Sequence, residues 1–162
     1  MPESLAYGET PAVSVRRLLQ VAGLEPGQRL VDLGSGRGLA ACAAACLGFR
    51  AAGLEYFSRY VEGARQVAAD LGLEVPFECG DFLTAPWPAG DLYYLASTAF
   101  GDRTRAALLP RLLELPAGTR VATLDWVLEE PEFVGLAAVH VPVTWGVARA
   151  CVYELSAAAG GD

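Results

Sequence analysis

A glycine-rich segment between two apolar stretches sets the strongest limit on the architecture of this chain. Residues 29–32, which read R-L-V-D, predict a short buried strand, residues 34–38 read G-S-G-R-G, and residues 39–47 predict a helix. Closely spaced glycines between a strand and a helix form a tight loop whose backbone can approach a ligand at the end of the strand. The segment therefore favours an α/β sheet with a ligand-binding loop after its first strand.

Stretches of helix length alternate with stretches of strand length along the rest of the chain. The first helix is predicted to begin with Thr10 as N-cap and Pro11 in its first position, and the third begins near Ser58. A fourth covers residues 104–115, where Pro110 kinks it or begins its second part. Further strands are predicted over residues 51–55, 75–79, 92–96 and 119–124, with a terminal hairpin over residues 137–143 and 147–155.

This order indicates an α/β fold with a mostly parallel seven-stranded sheet, a C-terminal antiparallel hairpin and helices on both faces. The length of 162 residues fits one domain, which we expect to be frayed at residues 1–6 and 156–162. Hydrophobic residues make up 53% of the chain, enough for a core without disulfides or a metal.

The composition excludes several classes of partner. The formal net charge is −7 and the chain has no lysine, which argues against a broad phosphate-binding face, so no nucleic-acid partner is predicted. No apolar stretch approaches the roughly 18 residues of a membrane span, and no signal peptide is visible. We expect a cytoplasmic protein with no membrane partner.

The cysteines and the single histidine show no metal-binding pattern. No two of the four cysteines form a C-x-x-C pair, and His140 lies alone in an apolar run. We interpret His140 as a strand residue in preference to a general base, and we predict no metal site. The cysteines are interpreted as buried apolar residues: Cys42, Cys46, Cys79 and Cys151.

Acidic residues end three of the predicted strands. Asp32, Glu55 and Asp81 are expected to meet at one edge of the sheet, because the carboxyl ends of parallel strands lie together there. Glu55 follows Gly34 by 21 positions, where a carboxylate can accept both ribose hydroxyls of an adenosine. Asp81 can accept a hydrogen bond from the adenine amine while the backbone of Phe82 binds the adenine ring. The alternative interpretation is that Glu55 is an ordinary strand-end acid and Asp81 an ordinary turn acid.

The same acids argue against a dinucleotide. A dinucleotide loop would have a third glycine at the position of Leu39, and a pyrophosphate would be repelled by the carboxylates. S-adenosylmethionine has no phosphate and carries an amine and a sulfonium cation. The sequence therefore favours this cofactor.

Three motifs together resemble those of class I S-adenosylmethionine-dependent methyltransferases. They are V-D-L-G-S-G-R-G at residues 31–38, G-L-E-Y at residues 53–56 and G-D-F at residues 80–82. More narrowly, the chain is similar to a family of short archaeal, bacterial and mitochondrial protein-lysine methyltransferases. Y-G-E-T-P at residues 7–11, L-P-A-G-T-R-V at residues 115–121 and V-Y-E-L at residues 152–155 carry that closer likeness.

A looser likeness, to the histone lysine methyltransferases that modify the nucleosome core, lies in L-A-S-T-A-F at residues 95–100. Ala96 and Ser97 stand where that group has paired asparagines, and Arg37 stands where an acid is common in the closer family. The resemblance implies a Rossmann-like methyltransferase fold and transfer of a methyl group to an amine, most of all to protein lysine side chains. A small-molecule N- or O-methyltransferase and a cofactor-binding protein without transfer activity are the alternatives.

The resemblance also implies a cofactor shell. Tyr7 and Thr10 would hold the methionine end, and Tyr56 would take the ribose and one face of the adenine beside Glu55. Ala96, Ser97 and Thr98 would form the floor under the methyl group. The loop would be lined by Asp32, Gly34, Ser35, Gly36 and Gly38, and the adenine edge would be held by Asp81 and Phe82.

The residues after the fourth and fifth strands restrict the acceptor. The D/N-P-P-aromatic motif of adenine and glutamine N-methylation is absent after the fourth strand, and no cysteine neighbours a proline as in cytosine C5 methylation. An aliphatic amine is still possible, and Asp125 is the best acid to steer or deprotonate it. The walls of an apolar channel for the amine, with core packing as the alternative, are predicted to be Tyr93, Tyr94, Thr98, Phe100, Trp126 and Trp145. The catalytic candidates are Asp125, Thr98 and Tyr93.

Overall fold

The structure, a computed structural model, describes residues 8–157. The elements are α1 (Ala12–Val21), β1 (Arg29–Leu33), α2 (Leu39–Cys46), β2 (Arg50–Glu55), α3 (Ser58–Asp70), β3 (Phe77–Cys79), β4 (Leu92–Leu95), a 3₁₀ turn (Ser97–Ala99), α4 (Asp102–Leu113), β5 (Arg120–Leu124), β6 (Phe133–Val143) and β7 (Gly146–Leu155). Helices and strands alternate up to β3, which is followed by β4 without an intervening helix.

The seven strands form one sheet in the order β3-β2-β1-β4-β5-β7-β6. β1 to β5 pair in parallel, and β7 pairs antiparallel with both β5 and β6. The strand order reverses between β1 and β4, which is the switch point where α/β sheets bind ligands. The predicted mostly parallel seven-stranded sheet with a terminal hairpin is confirmed.

Apolar residues cover both faces of the sheet because successive strand residues point to opposite sides. In β4, Leu92 and Tyr94 join the core formed with α1, α2 and α3. Tyr93 and Leu95 join a second core, formed with α4 and the segments around Trp87 and Trp126. The two cores cover the sheet on both faces and leave its carboxyl edge to the loops.

Several element boundaries differ from those predicted, each for a local reason. Thr10 does not cap α1: Pro11 occupies the N-cap position, and the Thr10 hydroxyl instead bonds to the hydroxyl of Tyr94. β3 begins at Phe77 because Pro76 has no N–H to donate to the ladder. α4 begins at Asp102 and continues through Pro110 without ending there.

The cysteine prediction is only half correct. Cys42 and Cys151 are buried, but Cys46 and Cys79 are exposed. Cys46 ends α2 and Cys79 ends β3, where the chain leaves the core. Within residues 8–157, every helix is too short or too polar to span a bilayer.

Candidate active site

Positive φ angles fix the glycine-rich loop after β1. Gly34, Gly36 and Gly38 have φ values of +88°, +53° and +82°, a region that residues with a Cβ rarely adopt. A Cβ on Gly38 would lie 2.6 Å from the Phe77 ring and 2.8 Å from the Cβ of Ala64. Glycine is therefore required at position 38 by packing against α3 and β3 as well as by the backbone conformation.

The loop is anchored to β2 by backbone hydrogen bonds. The N–H groups of Gly34 and Ser35 both donate to the carbonyl of Leu54, at 2.8 and 3.1 Å. The hydroxyl of Ser35 is buried and makes no hydrogen bond within the described residues; a Cβ on Gly53 would lie 2.6 Å from it. The Ser35 hydroxyl therefore packs toward β2, and its backbone is the part of the residue that lines the loop.

Glu55, the last residue of β2, binds the backbone of the same loop through its side chain. Its Oε2 accepts the N–H of Gly36 at 2.8 Å, and its Oε1 accepts the N–H of Phe57 at 2.9 Å. Each oxygen keeps one lone pair for another donor. The buried carboxylate thus has a structural role in addition to the predicted capacity to receive the two ribose hydroxyls.

Asp32 is buried at the end of β1, with 4% of its surface exposed. Its carboxylate accepts no hydrogen bond from residues 8–157. Burial, and secondarily the charge of Glu55, raise the pKa of Asp32 to about 7. An acid in this setting is matched by a cation, so the site fits the ammonium group of S-adenosylmethionine.

Tyr94 lies beside Asp32 and joins it to the segment before α1. The Tyr94 and Thr10 hydroxyls are 2.5 Å apart, and burial followed by the charge of Asp32 raises the pKa of Tyr94 above its usual value. From the sequence, Tyr94 is predicted only as a channel wall, with core packing as the alternative. The alternation of β4 puts residues 93 and 94 on opposite faces of the sheet, but only the structure shows that residue 94 is the one on the same face as α1.

The segment before α1 is held over this edge by the β6–β7 turn. The N–H of Glu9 donates to the hydroxyl of Thr144 at 2.8 Å, and the N–H of Thr144 donates to the carbonyl of Glu9 at 3.1 Å. Gly8 packs on the ring of Trp145, which a Cβ would approach to 2.2 Å. Tyr7 lies outside the described residues.

The segment after β3 carries the predicted adenine-binding residues. Asp81 Oδ1 accepts the N–H of Leu83 at 2.8 Å, whereas the N–H of Phe82 donates to no group in residues 8–157. The Phe82 ring faces Gly34, 3.5 Å from where a Cβ would stand, and it contacts the Phe100 ring at 5.5 Å between centroids. The Phe82 ring therefore lies against the glycine loop at Gly34. Tyr56, after β2, is 59% exposed.

Asp125 has an unusual backbone at the end of β5. It is the one non-glycine residue with positive φ (+53°) in the described part of the chain. Its carboxylate, although exposed, accepts the Thr98 hydroxyl at 2.8 Å and the N–H of Arg149 at 2.8 Å. Left-handed backbone in a non-glycine residue is a form of strain that clusters at functional sites.

Ser97 joins β4 to β5 and does not form an accessible floor. Its hydroxyl donates to the Leu124 carbonyl at 2.7 Å and accepts the Leu124 N–H at 3.1 Å, and the residue is fully buried. The predicted contact of its side chain with a cofactor is therefore not supported. Ala96 and Thr98, on either side, are half-buried and reach the edge.

Tyr93 is not brought to this edge. Its hydroxyl donates to the carbonyl of Pro88 at 2.7 Å and its ring contacts that of Trp87, near the amino end of β4. The pleat of β4 turns the Tyr93 side chain away from Asp32, and the loop before the strand provides the carbonyl that its hydroxyl binds. Tyr93 is a core residue and the catalytic interpretation is not supported. Trp126, another predicted channel wall, is likewise buried. His140 is exposed on β6.

Comparison with known proteins places the chain among methyltransferases. A family model described as the O-methyltransferase domain matches residues 5–137. Two curated protein-L-isoaspartate O-methyltransferases are similar. The one from Methylorubrum populi is 36% identical over 62% of this chain and 47% of its own length. The one from Methylorubrum extorquens is 32% identical over 64% and 48%. The chain thus spans about half the length of these relatives.

Solved structures share the fold. An RNA methyltransferase from Salinibacter ruber, in complex with S-adenosylhomocysteine, has a TM-score of 0.78 and 26% identity over 95% of this chain and 97% of its own. Magnesium protoporphyrin IX methyltransferase from Synechocystis, with bound S-adenosylmethionine, has a TM-score of 0.73 and 15% identity over 90% and 79%. The chain belongs to the O-methyltransferase domain family, within the class I S-adenosylmethionine-dependent methyltransferases.

Proposed function

We propose that this protein transfers a methyl group from S-adenosylmethionine to a side-chain amine of a protein, with lysine as the leading acceptor. The observation that carries the proposal is the exposed carboxylate of Asp125, held beside Thr98 at the end of β5. A carboxylate at that position attracts a cationic acceptor. The narrower resemblance to protein-lysine methyltransferases points the same way.

The residues that would hold the cofactor are those of the β1–β3 edge. Asp32 would receive its ammonium group, and Glu55 would receive the ribose hydroxyls on its two unused lone pairs. Asp81 and the N–H of Phe82 would hold the adenine edge, against the face of Tyr56. The remaining contacts would come from Gly34, Gly36, Gly38 and the backbone of Ser35, with Thr10, Tyr7 and Ala96 around the methionine part.

When bound, S-adenosylmethionine would supply a methyl group activated by its cationic sulfur: a nucleophile bonds to the methyl carbon as the carbon–sulfur bond breaks, and S-adenosylhomocysteine leaves. The protein has to align the acceptor and let it lose a proton, since an ammonium ion has no lone pair. A free lysine has a pKa of about 10.4, which a desolvated channel would lower. Each Asp125 oxygen already accepts one hydrogen bond and has one site left for the amine. Asp125 would guide the amine while Thr98 holds that carboxylate in place.

Anionic acceptors are less well matched to this edge. The carboxylate of an isoaspartyl side chain, or the phosphates of RNA, would approach Asp125 in a chain of net charge −7. A protein carboxyl group is nevertheless the second candidate, because both curated relatives are protein-L-isoaspartate O-methyltransferases. A small-molecule amine is the third.

Labelled cofactor distinguishes these acceptors. The purified protein is incubated with S-adenosylmethionine labelled on its methyl group and, separately, with a lysine-rich protein mixture, an isoaspartyl peptide, total RNA and a small-molecule extract. Protein label that survives mild base supports an N-methylated product, whereas a carboxyl methyl ester is released. Label confined to the peptide, the RNA or the extract would refute the lysine proposal. Binding of S-adenosylhomocysteine without transfer to any pool would indicate a cofactor-binding protein without activity.

The variant Asp125→Asn tests the charge itself. Asparagine tolerates positive φ, so the backbone is kept while the charge is removed. We expect methylation of an amine substrate to fall about 10- to 100-fold, in the range of a lost charged hydrogen bond, with no change in S-adenosylhomocysteine affinity. With a carboxylate acceptor the same change would raise the rate. Asp70→Asn, at the exposed end of α3, is the matched control and should leave both quantities unchanged.

A further inference from the structure

Arg111, on α4, makes three contacts with the segment that follows β3. One guanidinium nitrogen donates to the carbonyl of Phe82, and the other donates to the carbonyl of Ala85 at 2.7 Å. The guanidinium lies 4.4 Å from the centre of the Trp87 ring, and Trp87 Nε1 donates to the same Phe82 carbonyl at 2.8 Å. The carbonyl of Phe82 thus receives two donors, one of them charged.

The peptide unit fixed in this way also carries the N–H of Leu83. That N–H donates to Asp81 Oδ1 at 2.8 Å. Because a peptide unit is planar, a carbonyl held at Phe82 sets the direction of the Leu83 N–H. The N–H in turn sets the orientation of the Asp81 carboxylate, whose second oxygen accepts no hydrogen bond in residues 8–157.

We propose that Arg111 is a positioning residue for recognition of the cofactor's base: by holding the Phe82 carbonyl it aims the Asp81 carboxylate at the exocyclic amine of adenine. This inference rests on the proposed function, in which Asp81 and Phe82 receive the adenine. Arg111 itself touches neither the base nor the reacting atoms. It acts through one peptide unit and one carboxylate.

Arginine is suited to this role in a way that lysine is not. Its planar fork reaches two carbonyls at once and stacks on an aromatic face, whereas an ammonium is a point charge without a plane. Replacement of Arg111 by methionine keeps a long apolar side chain against Trp87 and removes both donors. Replacement by lysine keeps the charge and loses the bridge.

The test compares two ligands that differ only in the base: S-adenosylhomocysteine, and S-inosylhomocysteine, which has a carbonyl in place of the amine. The wild-type protein should bind the adenine ligand about 10- to 100-fold more tightly in calorimetry, the usual effect of leaving a buried polar group without its partner. In Arg111→Met this ratio should fall below about fivefold, and in Arg111→Lys to an intermediate value. A general loosening of the fold would weaken both ligands equally and leave the ratio unchanged.

Arg103→Met, at an exposed position on the same helix, is the matched control and should keep the wild-type ratio. If the wild-type protein binds the two ligands equally, the assignment of the adenine to Asp81 is wrong and the proposed cofactor contacts fail. If the wild-type protein discriminates and both Arg111 variants do so equally well, the positioning role is wrong. Arg111→Lys decides the question if Arg111→Met does not fold.

Discussion

The two halves of the sheet's carboxyl edge are held together by different means. On the cofactor side, formed by β1, β2 and β3, side-chain carboxylates bind backbone N–H groups: Glu55 binds those of Gly36 and Phe57, and Asp81 binds that of Leu83. On the acceptor side, formed by β4, β5 and the hairpin, contacts join one strand end to the next: the Ser97 and Thr98 hydroxyls join β4 to β5, and the Asp125 carboxylate joins β5 to β7 through the N–H of Arg149. The first arrangement fixes the path of loops, and the second fixes the separation of neighbouring strands.

This difference explains why the two sides depend so differently on residue type. Loops that cross positive φ require glycine, and only an acid can accept two N–H groups with its two oxygens. The cofactor side therefore has a recognisable pattern in the sequence. The acceptor side is made by Ser97, Thr98 and Asp125, which are common residues in an uncommon geometry.

The largest expected effect is on the cofactor side, from Gly38→Ala. The new methyl group would overlap the Phe77 ring and Ala64 in a left-handed backbone, so overpacking and strain combine. We expect a loss of about 3–5 kcal/mol in the free energy of unfolding, measured by urea denaturation. Gly27→Ala is the control: its φ is +89° but a Cβ there meets nothing within 4 Å, so the expected loss is about 1 kcal/mol. Equal losses in the two variants would show that packing at Gly38 contributes nothing.

Asp32→Asn should separate the stability of the cofactor side from its binding. In the folded protein the pKa of Asp32 is raised from its ordinary value of 3.8 to about 7. Its protonated form is therefore favoured by folding: the contribution to stability is fully present below pH about 4 and is lost as the pH rises through about 7. Above pH 7 the ligand-free variant should be more stable than the wild type by roughly 1–3 kcal/mol, with the difference vanishing near pH 4. Thermal unfolding at both pH values checks this.

The same carboxylate makes cofactor binding pH-dependent. An ammonium group pairs with ionised Asp32, so wild-type affinity for S-adenosylhomocysteine should fall by up to about tenfold per pH unit below about 7. In Asp32→Asn the affinity should be low and nearly flat over pH 5–8 in calorimetry. A wild-type affinity that does not change over this range would contradict the placement of the ammonium at Asp32.

The sequence predicts most of the fold and one side of the site. Alternation of strand and helix stretches predicts the seven-stranded sheet, and the acids that end β1, β2 and β3 are brought to one edge. The sequence does not predict that Tyr93 points away from Asp32 while Tyr94 lies beside it. An apolar strand that is buried on both faces gives no sign of which residues lie on which face. Nor could the sequence reveal the Asp125 backbone or the role of Arg111, which depend on contacts between residues far apart in the chain.

The smallest expected effects lie on the acceptor side, where neighbouring hydroxyls have different surroundings. Ser97→Ala leaves the buried N–H and carbonyl of Leu124 without their side-chain partner, so we expect a loss of about 1–3 kcal/mol in the free energy of unfolding. Thr98 is only half-buried and its hydroxyl serves Asp125 alone, so Thr98→Val should cost less than about 1 kcal/mol. Urea denaturation of the two variants gives the comparison directly.

Activity should rank the two variants in the opposite order. Thr98→Val frees the Asp125 carboxylate from one of its two donors, so methyl transfer should fall about 3- to 10-fold, the effect of one modest hydrogen bond, while S-adenosylhomocysteine affinity is unchanged. Ser97→Ala, measured well below its melting temperature, should transfer methyl groups at close to the wild-type rate because its hydroxyl never reaches the edge. If Ser97→Ala proves the slower enzyme, the separation of β4 from β5 controls the acceptor more than the Asp125 carboxylate does.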